Sequence, residues 1–310
     1  MEQPRLLNDN ILVKKELIQF IYPERIALGL ADVLTGFAIS GALYGGKIQL
    51  TIASIAYLSL VTIFLSSGSG TMARLFPIKN DTTRGEFELT TKLPNFALVG
   101  IGITLLSLIG LTAFWLSSLA ACLAIAIAIG TFAHILTTKY NTLYGLLCFA
   151  LYRTACILLG ISIVPTALYQ LWYIALIPTI YLLTVVLYSQ KKFEESTWLS
   201  ELPIVLTILV VFESLFLIYA LPGYDIFKAL LFIIILAQQI LPPYFKSLYE
   251  PSIEITAIAI NAFWVGVFLL DATIAAGFAN WYYALLVLFT LPVAKKASRL
   301  THNSKTNFQS

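Results

Sequence analysis

Charge is scarce in this sequence. Lysine, arginine, aspartate and glutamate supply 11% of its 310 residues, against about a quarter in an average soluble domain. Apolar residues make up 59%, and the mean hydropathy is +0.87. Such a chain has too little polar surface for a water-soluble globule. A net charge of +3 also gives no basic surface of the kind nucleic acid requires, so nucleic acid is not an expected partner. Cysteine is thin as well: Cys122, Cys148 and Cys156 fall in apolar runs, and the last two stand eight residues apart on one run, too far to bridge. Neither a disulfide framework nor a thiol metal site is expected. A cleavable signal peptide is not expected either. The first twenty-three residues are polar or mixed, and the first apolar run is longer than a signal's hydrophobic region.

Long apolar runs fill the rest. Ten of them lie between Glu24 and Ala294, at about Arg25–Tyr44, Gln49–Ser66, Pro94–Trp115, Leu116–Leu136, Asn141–Ile163, Ala167–Tyr188, Leu202–Ala220, Tyr224–Leu241, Ile253–Gly277 and Ala279–Ala294. Each is near the length a helix needs to cross hydrocarbon, so the expected fold is all-α, a polytopic integral membrane helical bundle. With the N-terminus inside, the cytoplasmic segments collect Arg5, Lys14, Lys15, Arg25, Arg74, Lys79, Arg84, Lys92, Lys139, Lys191, Lys192, Lys246, Lys295, Lys296, Arg299 and Lys305. The opposite side receives only Lys47 and Lys228. That bias selects an even number of spans with both termini inside, because removing one span inverts every later loop.

Three regions follow: 1–23, 24–294 and 295–310. In the first, Ile11, Leu12, Val13, Leu17, Ile18, Phe20 and Ile21 recur at near-helical spacing beside Lys14, Lys15 and Glu16, the pattern of a helix lying in the membrane interface. The second is a single transmembrane bundle, and the third is a basic, polar cytoplasmic tail. Two long polar loops, Ser67–Leu93 and Ser189–Glu201, open on the cytoplasmic side four spans apart. Long loops in a compact bundle are where function concentrates.

Ionisable residues at membrane depth are costly, and each is a functional candidate. Asp32 lies in the first span, about 10 Å from its cytoplasmic end at the helical rise. Arg153 and Glu213 fall near the middle of the fifth and seventh spans and carry opposite charges. They are expected to pair, either as a structural ion pair or as part of a substrate site. Asp271 and His134 lie nearer span ends, where water or backbone partners are expected. Tyr57, Tyr152, Tyr169, Trp172, Tyr173, Trp281, Tyr282 and Tyr283 fall near span ends and read mostly as an interfacial aromatic belt.

Several segments resemble one known family. Ile21-Tyr22-Pro23-Glu24-Arg25, followed by Leu30-Ala31-Asp32-Val33-Leu34-Thr35-Gly36-Phe37, looks like the opening of the UbiA superfamily of intramembrane prenyltransferases, in particular a divergent EboC-like branch. Tyr152-Arg153-Thr154-Ala155-Cys156 with Gly160 is similar to that family's Cys-Arg-Gly-x-Asn-x-x-x-Gly stretch. Leu187-Tyr188-Ser189-Gln190 with Glu194, and Leu269-Leu270-Asp271-Ala272, match the branch as well. The resemblance runs from about Ile21 to Gly277 and implies a nine-helix core, with the tenth span an addition.

The family's chemistry rests on two aspartate-rich motifs, one after the second helix and one after the sixth. Their carboxylates hold magnesium against a diphosphate leaving group. In this chain the loops are in place but the carboxylates are reduced. The first motif's positions fall near Gly70, Thr71 and Arg74, with Asn80-Asp81 and Arg84 as a shifted fragment. The second loop offers the adjacent pair Glu194 and Glu195. By resemblance, Mg2+ is the expected cofactor, on Asp81, Glu194 and Glu195. Arg74, Lys79, Arg84 and Arg153 would carry the diphosphate, and Asp32 and Asp81 would be catalytic, with Asp32 orienting the acceptor. Gly68, Ser69, Gly70 and Thr71 are expected to offer backbone amides to a phosphate at a helix end.

The partners implied are an isoprenoid diphosphate or another lipid, and the bilayer itself, in a bacterial cytoplasmic membrane. The expected activity is transfer of a prenyl group to an acceptor, or lipid binding without transfer. A transporter or carrier is the alternative, with Asp32, Arg153, Glu213 and Asp271 spread through the membrane as a polar path. A structural subunit of a membrane assembly is a third.

Overall fold

The computed structural model describes residues 23–44, 48–74, 95–138, 142–190, 223–250 and 252–296, with positions 208, 211 and 221. Among the described residues the chain is helical, with no strand. The helices are α1 (Pro23–Ile39), α2 (Ile48–Arg74), α3 (Asn95–Trp115), α4 (Ser118–Thr138), α5 (Thr142–Ile161), α6 (Pro165–Leu171), α7 (Leu176–Gln190), α8 (Ile226–Tyr249), α9 (Ile253–Phe278) and α10 (Trp281–Leu288). A short 3-10 turn, Trp172–Ala175, joins α6 to α7 as one bent span. Among the described residues, six helical segments are long and apolar enough to cross a membrane. Large apolar side chains stand outward on them: Ile52, Ile129, Leu151 and Phe227 are each more than half exposed. That much outward apolar surface suits lipid and not water, so this is a helical membrane protein.

Sequence and structure differ at several helix ends. The first span ends at Ile39 instead of Tyr44. There Gly41 takes φ +72, and the Ser40 and Gly41 amides close the last turn on Gly36 and Ala38, a glycine-terminated C-cap. α2 runs eight residues past the expected Ser66, to Arg74. α8 does not stop before Pro242 but continues through Pro242 and Pro243 to Tyr249. Tertiary contacts carry it: Tyr244 and Ser247 are buried, Ser247 meets the Tyr188 hydroxyl at 3.1 Å, and the Tyr244 ring packs on Tyr188 and Phe263. Two of the later starts are capped by short polar side chains, Ser252 on Ile255 N–H and Asn280 on Tyr283 N–H. Of the expected seventh span only positions 208 and 211 are described, and the interfacial lead-in and the 295–310 tail fall almost wholly outside the described residues.

Pairwise registers define the directions. Gly29, Asp32 and Gly36 of α1 face Tyr152, Arg153 and Ile157 of α5 in rising order, so these two helices run parallel. Pro178 of α7 lies at Arg153, while Tyr181 and Tyr188 reach Phe263 of α9. α7 therefore opposes both α5 and α9, and α1, α5 and α9 share one direction. Of the six candidate spans, α5 and α9 are the most enclosed and α8 is the least. The core lies between α1, α5, α7 and α9.

Close approach inside that core depends on small residues. A methyl group on Gly36 would meet the Ile157 carbonyl oxygen at 2.0 Å, and one on Gly160 the Val33 carbonyl oxygen at 2.2 Å. With no hydrophobic drive between helices in lipid, such backbone contact is a main source of association. It also brings α1 and α5 near enough for charged side chains one or two turns away to meet.

Candidate functional site

Three parallel helices bring their charged residues to one level. Asp32 lies seven residues before the end of α1 at Ile39, Arg153 eight before the end of α5 at Ile161, and Asp271 seven before the end of α9 at Phe278. All three side chains are completely buried. Arg153 Nε donates to Asp32 Oδ1 at 2.8 Å, and its Nη2 donates to Asp271 Oδ1 and Oδ2 at 2.7 Å each. Its Nη1 donates to the Pro178 carbonyl oxygen at 2.9 Å. The Thr35 hydroxyl donates to the Asp271 main-chain oxygen at 3.2 Å, tying α1 to α9 beside the ion pairs.

The geometry of the guanidinium sets that of the acids. Nε and Nη2 share one edge of its plane, the edge that normally grips a single carboxylate with two parallel bonds. Here that edge serves two carboxylates, which must lie side by side. They are not treated alike: both Asp271 oxygens accept a hydrogen bond, whereas Asp32 Oδ2 is buried with none.

Two buried tyrosines also brace the bundle. The Tyr152 hydroxyl meets Ser66 Oγ at 3.1 Å and donates to the Arg25 carbonyl at 3.2 Å, joining α5, α2 and α1. Tyr181 donates to the Phe263 carbonyl at 3.0 Å. At the far end of α9, Tyr224 packs against Gly277, and burial pushes its hydroxyl above the ordinary phenol range.

The sequence-based candidates divide sharply. Asp32 and Arg153 are brought together. Asp271, expected to find water or backbone near a span end, is fully buried in the same cluster. The end of α9 is covered by protein: Ala272, Ile274, Ala275 and Ala276 are inaccessible, and Tyr224 and α10 close over them. The expected partner of Arg153, Glu213, lies outside the described residues, as do Lys79, Asp81, Arg84, Glu194 and Glu195. Arg74 is described only as the last residue of α2. His134 does find a backbone partner, with Nδ1 2.6 Å from the Gly145 carbonyl oxygen.

Three expectations are corrected. Gly68–Thr71 is not a loop offering free amides: it lies in the final turns of α2, where N–H groups are spent inside the helix and the end exposes carbonyls, the wrong polarity for a phosphate. Gly68 instead lets α3 approach, since a methyl there would meet Leu105 at 2.9 Å. The described intramembrane charges Asp32, Arg153 and Asp271 do not form a path through the membrane, because all three sit at one depth. Tyr152 is not part of an aromatic belt; it is buried and bonded, while Tyr169, Trp172, Trp281 and Tyr282 are exposed.

No family model, curated protein or solved structure matches this chain. Among the described residues no group of three or more metal-ligating side chains forms. The described pair of acids, Asp32 and Asp271, does not fit Mg2+, because Arg153 occupies it. Chemically the cluster is a fixed, water-excluded arrangement of one cation and two acids that locks three helices in register.

Proposed function

We propose that this chain is a UbiA-type intramembrane protein that binds an isoprenoid diphosphate or a related lipid, with both termini on the cytoplasmic side of a bacterial membrane. One observation supports it. Three of the segments that carry the resemblance, Leu30–Phe37, Tyr152–Gly160 and Leu269–Ala272, meet through Asp32, Arg153 and Asp271. Segments that match one family by chance have no reason to converge on one cluster.

In this reading the cluster sets the frame of the bundle. The lipid phosphate is held from the cytoplasmic side by Arg74, Lys79 and Arg84. Asp81, Glu194 and Glu195 would hold Mg2+, and the ion would supply positive charge for a diphosphate leaving group. Arg153 contributes position, not a free charge, because its guanidinium is engaged on Asp32, Asp271 and Pro178.

The test is mass spectrometry of lipids that copurify with the detergent-solubilised protein, repeated after incubation with geranylgeranyl diphosphate and either magnesium or EDTA. Retention or consumption of the diphosphate that needs magnesium and falls in Asp81→Asn is the expected result. Retention indifferent to metal would leave a binding protein without transfer. No isoprenoid under any condition would sink the proposal.

A further inference from the structure

We propose that Asp32 and Asp271 together bind one proton, so that the Asp32–Arg153–Asp271 cluster is an electrically neutral proton-binding site inside the membrane. Two carboxylates on one guanidinium leave an excess negative charge if both are ionised. All three side chains are fully buried, and an uncompensated charge in such surroundings is far too costly to persist. Adjacent acids on one edge of a guanidinium meet the same condition that makes paired carboxylates share a proton elsewhere.

A second observation points to the same atom count. Asp32 Oδ2 is buried without a donor, although buried polar atoms are almost always partnered. A proton there turns an orphaned acceptor into a donor beside the Asp271 carboxylate, whose own oxygens both accept from Arg153. The proton comes from bulk water and no other bond changes.

No neighbouring group among the described residues supplies the missing positive charge. From α5, Tyr152 and Cys156 lie within electrostatic reach of Asp32, and from α7, Tyr181 within reach of Arg153. From α10, Tyr283 donates to the Leu34 carbonyl oxygen, and α2 offers the Ser66 hydroxyl to Tyr152. Phenols and thiols of this kind are neutral at pH 7. Arg25, two turns before Asp32 on α1, interacts electrostatically with His134 of α4.

The experiment is infrared spectroscopy of the purified full-length protein at neutral pH, with aspartate labelled by carbon-13 at its side-chain carboxyl. The wild type should show the carbonyl stretch of a protonated, water-excluded acid, shifted by the label. Asp32→Asn and Asp271→Asn should each abolish it, because either change leaves one carboxylate matched to Arg153. Both variants keep the size and one oxygen of the acid, and either alone decides the matter if the other fails to fold. Absence of the band in the wild type overturns the proposal, as does its persistence in either variant. The outcome is independent of which lipid, if any, the bundle binds.

Discussion

Arg153 grips both carboxylate oxygens of Asp271 at 2.7 Å, joining two fully buried side chains 118 residues apart in the chain. The same guanidinium holds Asp32 and the Pro178 carbonyl oxygen, so α1, α5, α7 and α9 all meet at one side chain.

Removing that side chain should be among the most damaging single changes in the protein. Arg153→Met strands two buried acids, and breaking a buried pair costs roughly 3–5 kcal/mol. Arg153→Lys should rescue little, since one ammonium cannot reproduce the planar fork. The combination Asp32→Asn, Arg153→Met and Asp271→Asn should recover much of the loss, because no charge is left unpaired. Thermal unfolding in detergent reads all three. Wild-type stability in Arg153→Met would mean that the cluster does not hold the helices together.

The crossing of α1 and α5 makes a second prediction. Gly36→Ala and Gly160→Ala each force a methyl into opposing backbone at about 2 Å, an overpacking that costs on the order of 1–3 kcal/mol. A methyl on Gly100 in α3 would meet nothing within 4 Å, so Gly100→Ala should be neutral or slightly stabilising, as alanine is the better helix former. The double variant Gly36→Ala, Gly160→Ala should cost less than the sum of the two, since one separation of the helices relieves both clashes. Equal effects at positions 36 and 100 in thermal unfolding would contradict the close crossing.

Much of this architecture is legible in composition. The apolar runs mark the spans because a helix at membrane depth needs about twenty such residues, and the scarcity of intramembrane charge singles out Asp32 and Arg153. Partner choice is not legible. Glu213 matches Arg153 in expected depth and is opposite in charge, but the described acids on Arg153 come from helices parallel to its own, which no single run of sequence reveals. The distance of Asp271 from its helix end suggests water, whereas the alanine-rich end of α9 is enclosed by protein. Helix ends differ where side chains override composition. Gly68, Ser69 and Gly70 read as a loop, yet the Ser67 and Ser69 hydroxyls bond back to Ile63 and Leu65 within α2.

Tyr152 should matter in proportion to its hydroxyl. Tyr152→Phe keeps the ring stacked on Phe149 but removes the bonds to Ser66 and the Arg25 carbonyl, a net loss of about 1 kcal/mol. Ser66→Ala should cost less, because the tyrosine still donates to the carbonyl. Thermal unfolding of the two variants side by side checks the order. If Ser66→Ala proved the more harmful, the hydroxyl's main partner would have to be something other than the α1 backbone.

At the start of α8, Asp225 does two jobs that separate variants can tell apart. Its Oδ1 accepts from the Phe227 N–H at 3.0 Å as an N-cap, and its Oδ2 lies 3.4 Å from Lys228 Nζ, with both side chains 41% exposed. Exposed ion pairs contribute little, a few tenths to about 1 kcal/mol, and are screened by salt. A lost cap costs about 1 kcal/mol whatever the salt, and asparagine caps as well as aspartate. Asp225→Asn and Lys228→Ala should therefore leave thermal stability almost unchanged, while Asp225→Ala lowers it equally at low and high salt. Because the Asp225 amide also donates to the Gly277 carbonyl at 2.9 Å, fraying there loosens the cover over the end of α9. A loss in Asp225→Ala that vanished in high salt would assign the effect to the ion pair instead of the cap.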